Sequence, residues 1–319
     1  MKLSVNFCKT LMAFTVAGSS LLLTSCNDDD MVENEMDNTI SGIVIESNNF
    51  TTLEAGLGRA NLVDALRATG PFTVFAPDND AFAASGINTA ALNALPLNRL
   101  DSILKYHVLT SDIPSGSVPA GPNAKVTTLS GDSVFVTRNT AGVFINGIRV
   151  KTADVDASNG TIHVVSNVLI PPGNRTIVNV ATEDTSLTYL VAAVVRASQG
   201  STNVAAVLSS TNGLTVFAPT NNAFRAANFP TIASIQAADP ATLTSILTYH
   251  VIGARVFSSD LTEGAQPATV NGGTVTITLS GGAKVKGANN ATASNIIATN
   301  IMARNGVVHK IDRVLMPMP

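Results

Sequence analysis

The spacing of apolar residues changes partway along the chain, and it does so twice. Over 97–108, Leu100, Ile103, Leu104, His107 and Val108 fall on one face at three- and four-residue spacing, which predicts a helix. Leu243, Ile246, Leu247, His250 and Val251 repeat that face later, behind Asp239 as cap and Pro240 in the first turn. Upstream, Leu62, Ala65 and Leu66 predict a helix over 61–68, closed by Gly70-Pro71. Residues 72–76 are β-branched and aromatic and read as a buried strand that Pro77 stops. Asp78 should then cap a short helix, and Thr220 should cap at the same place in the later copy. Beyond each Tyr-His the pattern alternates instead. Asn-Gly at 146–147, 159–160, 271–272 and 305–306 signals hairpin turns, and Gly281-Gly282 signals another. Closing strands are expected over 161–170 and 307–316, each running into Pro.

This order of elements is a repeat. TVFAP at 73–77 returns 142 positions on, Tyr106-His107 returns as Tyr249-His250 after 143, and Gly160-x-x-His163 returns as Gly306-x-x-His309 after 146. A period of that size is a domain rather than a solenoid unit. All 4 histidines lie in these motifs.

The N-terminus reads as an address. Lys2 and Lys9 flank a basic start, and the apolar run over 11–23 is short for a membrane span. It ends Leu-Thr-Ser-Cys, the pattern of a bacterial lipoprotein signal over 1–25 that leaves a lipidated Cys26 as the new first residue. Cys8 departs with the signal, so no thiol remains for a disulfide. Residues 26–38 carry six acids (Asp28, Asp29, Asp30, Glu33, Glu35, Asp37) and no base, the composition of a disordered tether. An acidic run there resembles the surface-export signal of Bacteroidota lipoproteins. The expected location is therefore the outer membrane, lipid-anchored and facing out, with a periplasm-facing protein as the alternative. Two domains follow, over 39–172 and 173–319, joined by the short, stiff Pro171-Pro172-Gly173-Asn174, which restricts the angle between them. The formal net charge is −3, and neither half is basic enough for a nucleic-acid footprint.

The motifs together resemble the fasciclin-like domain family. The resemblance rests on TVFAPDNDAF at 73–82 and TVFAPTNNAF at 215–224, on ILKYHVL at 103–109 and ILTYHVI at 246–252, and on NGTIHVVSNVLIP at 159–171 and NGVVHKIDRVLMP at 305–317. It covers nearly all of the chain beyond the tether. It implies an α+β fold: two tandem domains, each a β-wedge or sandwich with helices packed alongside. It also implies secreted or membrane-anchored adhesion and matrix-binding modules, no enzymatic activity and no cofactor. In some animal relatives the Tyr-His region has been linked to receptor binding. That makes Tyr106, His107, Tyr249 and His250 the candidate partner-binding residues. The copies differ at acids, Asp80 against Asn222 and Asp154 against Asn300, which argues against one acid-dependent mechanism in both.

The bland reading of the same residues is structural. His107 and His250 lie on apolar helix faces, where a buried imidazole satisfied by hydrogen bonds, with the tyrosine closing the core, accounts for them. His163 and His309 read as sheet histidines near an edge. No His-x-x-x-His or Glu-x-x-His accompanies them, as a metal site requires. There is no Gly-x-Ser-x-Gly elbow, phosphate loop or dinucleotide fingerprint. The function expected is a cell-surface binding module whose partner is an extracellular matrix protein, a neighbouring or host cell surface, or a polysaccharide. The alternative is a structural or accessory envelope lipoprotein that works with another membrane protein, for example in glycan uptake.

Overall fold

The structure, a computed structural model, describes residues 37–318. The signal, Cys26 and all of the tether but its last two residues lie outside the described residues. In the first copy, strands β1 (Phe72–Pro77), β2 (Val108–Leu109), β3 (Gly121–Thr127), β4 (Ser133–Asn139), β5 (Gly142–Ile145), β6 (Ile148–Ala157) and β7 (Gly160–Val165) make one sheet. Its order is β2-β1-β7-β6-β5-β4-β3. All neighbours are antiparallel except β1 and β7, which run parallel with Val74 opposite Ile162. In the second copy, β8 (Leu214–Pro219), β9 (Val251–Ile252), β10 (Val275–Thr278), β11 (Lys284–Gly287), β12 (Ser294–Ala303) and β13 (Gly306–Ile311) repeat the plan as β10-β11-β12-β13-β8-β9. The parallel pair there is β8 and β13. Where the first copy has β3, the second has only isolated bridges, Ile252 to Thr269 and Ala268 to Thr274.

Helices precede the meander in both copies. Ile40–Glu46, Thr51–Arg59 and Val63–Arg67 come before β1, and Asn79–Ala84, Thr89–Ala94 and Leu97–Tyr106 lie between β1 and β2. The helix expected over 61–68 is shorter because Asn61 takes a φ of 54° and interrupts it. The helix expected over 97–108 ends at Tyr106, and Val108 opens β2. Asp78 caps the Asn79–Ala84 helix, its Oδ1 accepting from the Ala81 amide at 2.8 Å. Thr220 holds the same extended conformation but makes no capping bond, which corrects the expectation for the second copy. Asp239 caps with Pro240 behind it.

Alternation along the parallel strands sorts side chains into two cores. Val74, Ala76 and Ile162 join Leu53, Leu57, Leu100 and Leu104 beneath the helices. Phe75 and Val165, one residue out of phase, join Val134, Val136 and Ile145 from β4 and β5. Strands far apart in the sheet thus share one core, so the sheet curls into a half-barrel over its own face. Each β6–β7-type hairpin begins its second strand with a glycine because of crowding. A Cβ on Gly160 would lie 2.0 Å from the Phe72 carbonyl oxygen, and one on Gly306 2.3 Å from that of Leu214. The turn between β5 and β6 also uses positive φ, 51° at Asn146 and 75° at Gly147.

Both copies belong to one compact body. Pro171 and Pro172 of the linker are buried. Phe257, Met302 and Val307 of the second copy form an apolar cluster closed by Phe135 of the first, with the Phe135 and Phe257 rings 6.1 Å apart. Around it, Asn123 Nδ2 donates to the Arg255 carbonyl at 2.7 Å, Thr137 Oγ1 to Asp260 Oδ1 at 3.0 Å and Asn139 Nδ2 to the Ser259 carbonyl at 3.0 Å.

Candidate functional site

The Tyr-His pairs are internal struts. At the C-cap of the Leu97–Tyr106 helix, His107 Nδ1 lies 2.8 Å from the Ile103 carbonyl and donates to it. Its Nε2 then accepts from the Leu169 amide at 2.9 Å. His250 repeats this with Ile246 at 2.8 Å and Leu315 at 2.8 Å. Each imidazole is therefore neutral and ties the helix end to the strand exit. Burial pushes both pKa values down to about 4. The tyrosines point into the second core of each copy. Tyr106 Oη donates to the Ser133 carbonyl at 3.0 Å and accepts from Asn146 Nδ2 at 2.9 Å, and burial raises its pKa. Tyr249 Oη donates to Thr274 O at 2.5 Å and accepts from the Ala288 amide at 2.8 Å. Exposure is 0% and 3% for Tyr106 and His107, and 1% and 1% for Tyr249 and His250. Contact with a partner at these positions would need an exposed tyrosine, and neither copy has one, because each ring fills a core and each polar atom is already bonded.

His163 and His309 also hold backbone together, with the other tautomer. His163 Nε2 donates to the Ile113 carbonyl at 2.9 Å, and its Nδ1 accepts from the Asp154 amide at 3.2 Å. His309 does the same with Val256 at 2.9 Å and Asn300 at 3.4 Å. These histidines lie on central strands, not near an edge, since β1 or β8 pairs beyond them. The hydroxyl of the TVFAP threonine completes the attachment. Thr73 Oγ1 donates to Ser111 O at 2.7 Å and accepts from the Ile113 amide at 2.8 Å. Thr215 matches it with Ala254 at 2.6 Å and Val256 at 2.8 Å.

Ser115, Asp154 and His163 meet at this point, yet not as a nucleophile with its base. Ser115 Oγ donates to Asp154 Oδ2, and that bond holds the carboxyl below its usual range. His163 Nε2 is spent on a carbonyl, so no base faces the hydroxyl. Among the described residues, no group of three or more His, Cys, Asp and Glu could hold a metal ion.

Two asparagine positions, each present in both copies, carry roles that a local reading of the sequence misses. Asn159 does turn a hairpin, but its Oδ1 also accepts from the Ile40 amide at 2.9 Å and its Nδ2 donates to Leu66 O and Ala68 O at 2.8 Å. Asn305 binds Ile177 at 2.9 Å, Leu208 at 2.7 Å and Thr211 at 3.0 Å in the same way. The Thr51–Arg59 helix lacks a side-chain cap of its own. Asn79 supplies one from the helix that follows β1, accepting from the Thr52 amide at 3.0 Å, and Asn221 serves Tyr189 at 3.0 Å. The available signal was that both asparagines recur in the repeated motifs.

The copies part company where they meet. Asn300 Oδ1 accepts from the Ser258 amide at 2.8 Å, as Asp154 does from Ser115 at 2.7 Å. Asn300 Nδ2 additionally donates to Ser258 Oγ at 2.7 Å and to Gly147 O of the first copy at 3.3 Å. A carboxylate could make neither donation.

The family comparison finds the same two copies. The fasciclin domain model matches residues 48–171 and 187–317. Protein sll1483 of Synechocystis is 43% identical over 136 residues, 42% of this chain and 74% of that protein. Transforming growth factor-beta-induced protein ig-h3 of Sus scrofa is 34% identical over 137 residues, 43% of this chain but only 20% of its own length. Human periostin is 26% identical over 279 residues, 84% of this chain and 31% of periostin. A solved FAS1 domain pair from the insect cell adhesion molecule fasciclin I aligns over 83% of this chain and 97% of its own, at 19% identity and a TM-score of 0.41. With a fasciclin domain in each half, the chain belongs to the fasciclin domain family.

Proposed function

We propose that the protein is a cell-surface adhesion module that binds an extracellular protein or polysaccharide without catalysing a reaction on it. The observation that carries this reading is the bonded interface that makes two fasciclin domains one body, which presents a single continuous surface. Family membership supports a binding role. The chemistry-bearing side chains support it too: the repeated histidines, tyrosines and threonines are all engaged with backbone. In this reading lipid on Cys26 anchors the chain at the outer membrane, and the acidic tether lets the body stand off outside the cell. Many displayed copies then add avidity to modest single-site affinity. Among the described residues no helix is long and apolar enough to cross a membrane.

The test is a screen of soluble residues 37–319 against immobilised matrix proteins, glycans and whole cells. Saturable binding to at least one surface is the expected result. A blank with cooperatively folded protein, together with stoichiometric crosslinking to one envelope protein, would replace adhesion with an accessory role in the cell's own envelope.

A further inference from the structure

We propose that the cleft between the copies, walled by Lys125, Arg255 and Arg304, is a binding site for an acidic polysaccharide segment, one bearing uronate carboxylates or sulfates. This inference rests on the binding-module reading and names its ligand class. The starting observation is a charge reversal between aligned positions. Counting from the shared Tyr-His, Asp112 corresponds to Arg255; counting from the shared Gly-x-x-His, Ser158 corresponds to Arg304 and Asp156 to Met302. In the first copy this corner is an acidic surface pocket holding Asp112 and Asp156, with Thr161 Oγ1 donating to Asp112 Oδ1 at 2.6 Å. In the second copy Val307 stands where Thr161 would be, and the corner has become basic and is roofed by the first copy.

The cleft encloses about 670 Å³, within the range of small-ligand sites. Arg255 is its anchor. Its guanidinium carbon sits 4.3 Å from the centroid of the Phe135 ring, and Nη1 donates to Gly306 O at 2.8 Å. These contacts fix the planar group and leave further N–H donors for an anion. Among the described residues no carboxylate lies within ion-pair distance of Arg255, Arg304 or Lys125. Asp132 is the single acidic side chain in the wall. Burial lowers the pKa of Arg255, as befits a desolvated cation whose counter-charge the protein does not supply. A nucleic acid fits less well. The Phe135 face that a base would stack on is occupied by Arg255. Carboxylates and sulfates spaced along a sugar chain suit a fixed fork flanked by two exposed cations.

The experiment is calorimetric titration of the full chain with oligogalacturonate, with dextran sulfate oligosaccharide and with neutral dextran. The expected result is saturable binding of at least one anionic probe and none of neutral dextran. The pair Lys125→Glu/Arg304→Glu should weaken that binding at least ten-fold. Neither side chain makes a hydrogen bond among the described residues, so the melting temperature should hold. The pair Lys284→Glu/Lys286→Glu makes the same change in net charge on β11 and should bind like the parent. The two anionic probes separate a carboxylate site from a sulfate site. Equal weakening by both pairs, or none by the cleft pair, would overturn the site. Binding of only neutral dextran, or no binding of either anionic probe beside binding of a matrix protein in the earlier screen, would overturn the site and leave adhesion standing. A blank in both experiments would remove both.

Discussion

Asp154 and Asn300 occupy the same bulge in the two copies, with φ of 57° and 60°, and each accepts a bond from the serine amide that faces it. One faces solvent and is an acid; the other faces its sister domain and is an amide that donates to Gly147. The same division holds elsewhere. Thr73, Asn79, His107, Asn159 and His163 have counterparts that make the same bonds. Pro114, Asp156 and Thr161 have become Phe257, Met302 and Val307, the three residues that bury the interface. Positions that agree between the copies build the domain. Positions that differ decide how the domains meet and what the cleft between them presents.

The hardest blow to the shared set is His107→Ala or His250→Ala. Each leaves a buried amide, Leu169 or Leu315, without its acceptor and opens a cavity, so each should cost about 3–5 kcal/mol in urea unfolding. Costs that differ between the copies by more than a factor of two would break the claim that the two struts are equivalent.

Acid attacks the same struts without mutation. Both histidines have folded pKa values of about 4 against about 6.5 when unfolded, so the unfolded chain binds more protons between those limits. Stability should therefore be full above about pH 6.5 and fall as pH drops toward 4, by roughly 3 kcal/mol per histidine. Carboxylates held low, Asp154 by its Ser115 bonds among them, add their loss only below about pH 4. Denaturant midpoints measured from pH 8 to pH 4 check the sign; a flat profile over that range contradicts it.

At the divergent positions, Phe257→Ala should cost about 3 kcal/mol and loosen the domain angle seen by small-angle scattering. Pro114→Ala, its counterpart, should leave that angle unchanged. The mildest test exchanges the bulge residues. Asn300→Asp forfeits donations to Ser258 and Gly147 and should cost about 1–2 kcal/mol, while Asp154→Asn should cost under about 0.5 kcal/mol.

Much of the scaffold was legible in the chain because its signals are local. Helical spacing located the faces ending in His107 and His250, and Asn-Gly located the β5–β6 turn. What escaped is non-local. The parallel pairing of β1 with β7 joins segments separated by all the later helices and strands, and no short pattern encodes a partner that distant. Likewise Asn79 caps a helix it does not belong to, while Thr220, with a good capping side chain, caps nothing. The Tyr-His motif stands out in the sequence because it repeats, and it repeats because both folds need the same strut. Arg255 drew no notice as a single residue. Its meaning comes from replacing Asp112 beneath a neighbouring sheet.

The central claim is that recognition lies at the divergent positions while the repeated motifs serve the fold. Amide hydrogen exchange on the full chain, with and without saturating oligogalacturonate, tests it most directly. Added protection at 125–135, 254–257 and 302–306, with 103–107 and 246–250 unchanged, is the predicted result. Protection gathered on the two Tyr-His segments, with the cleft unaltered, would contradict it.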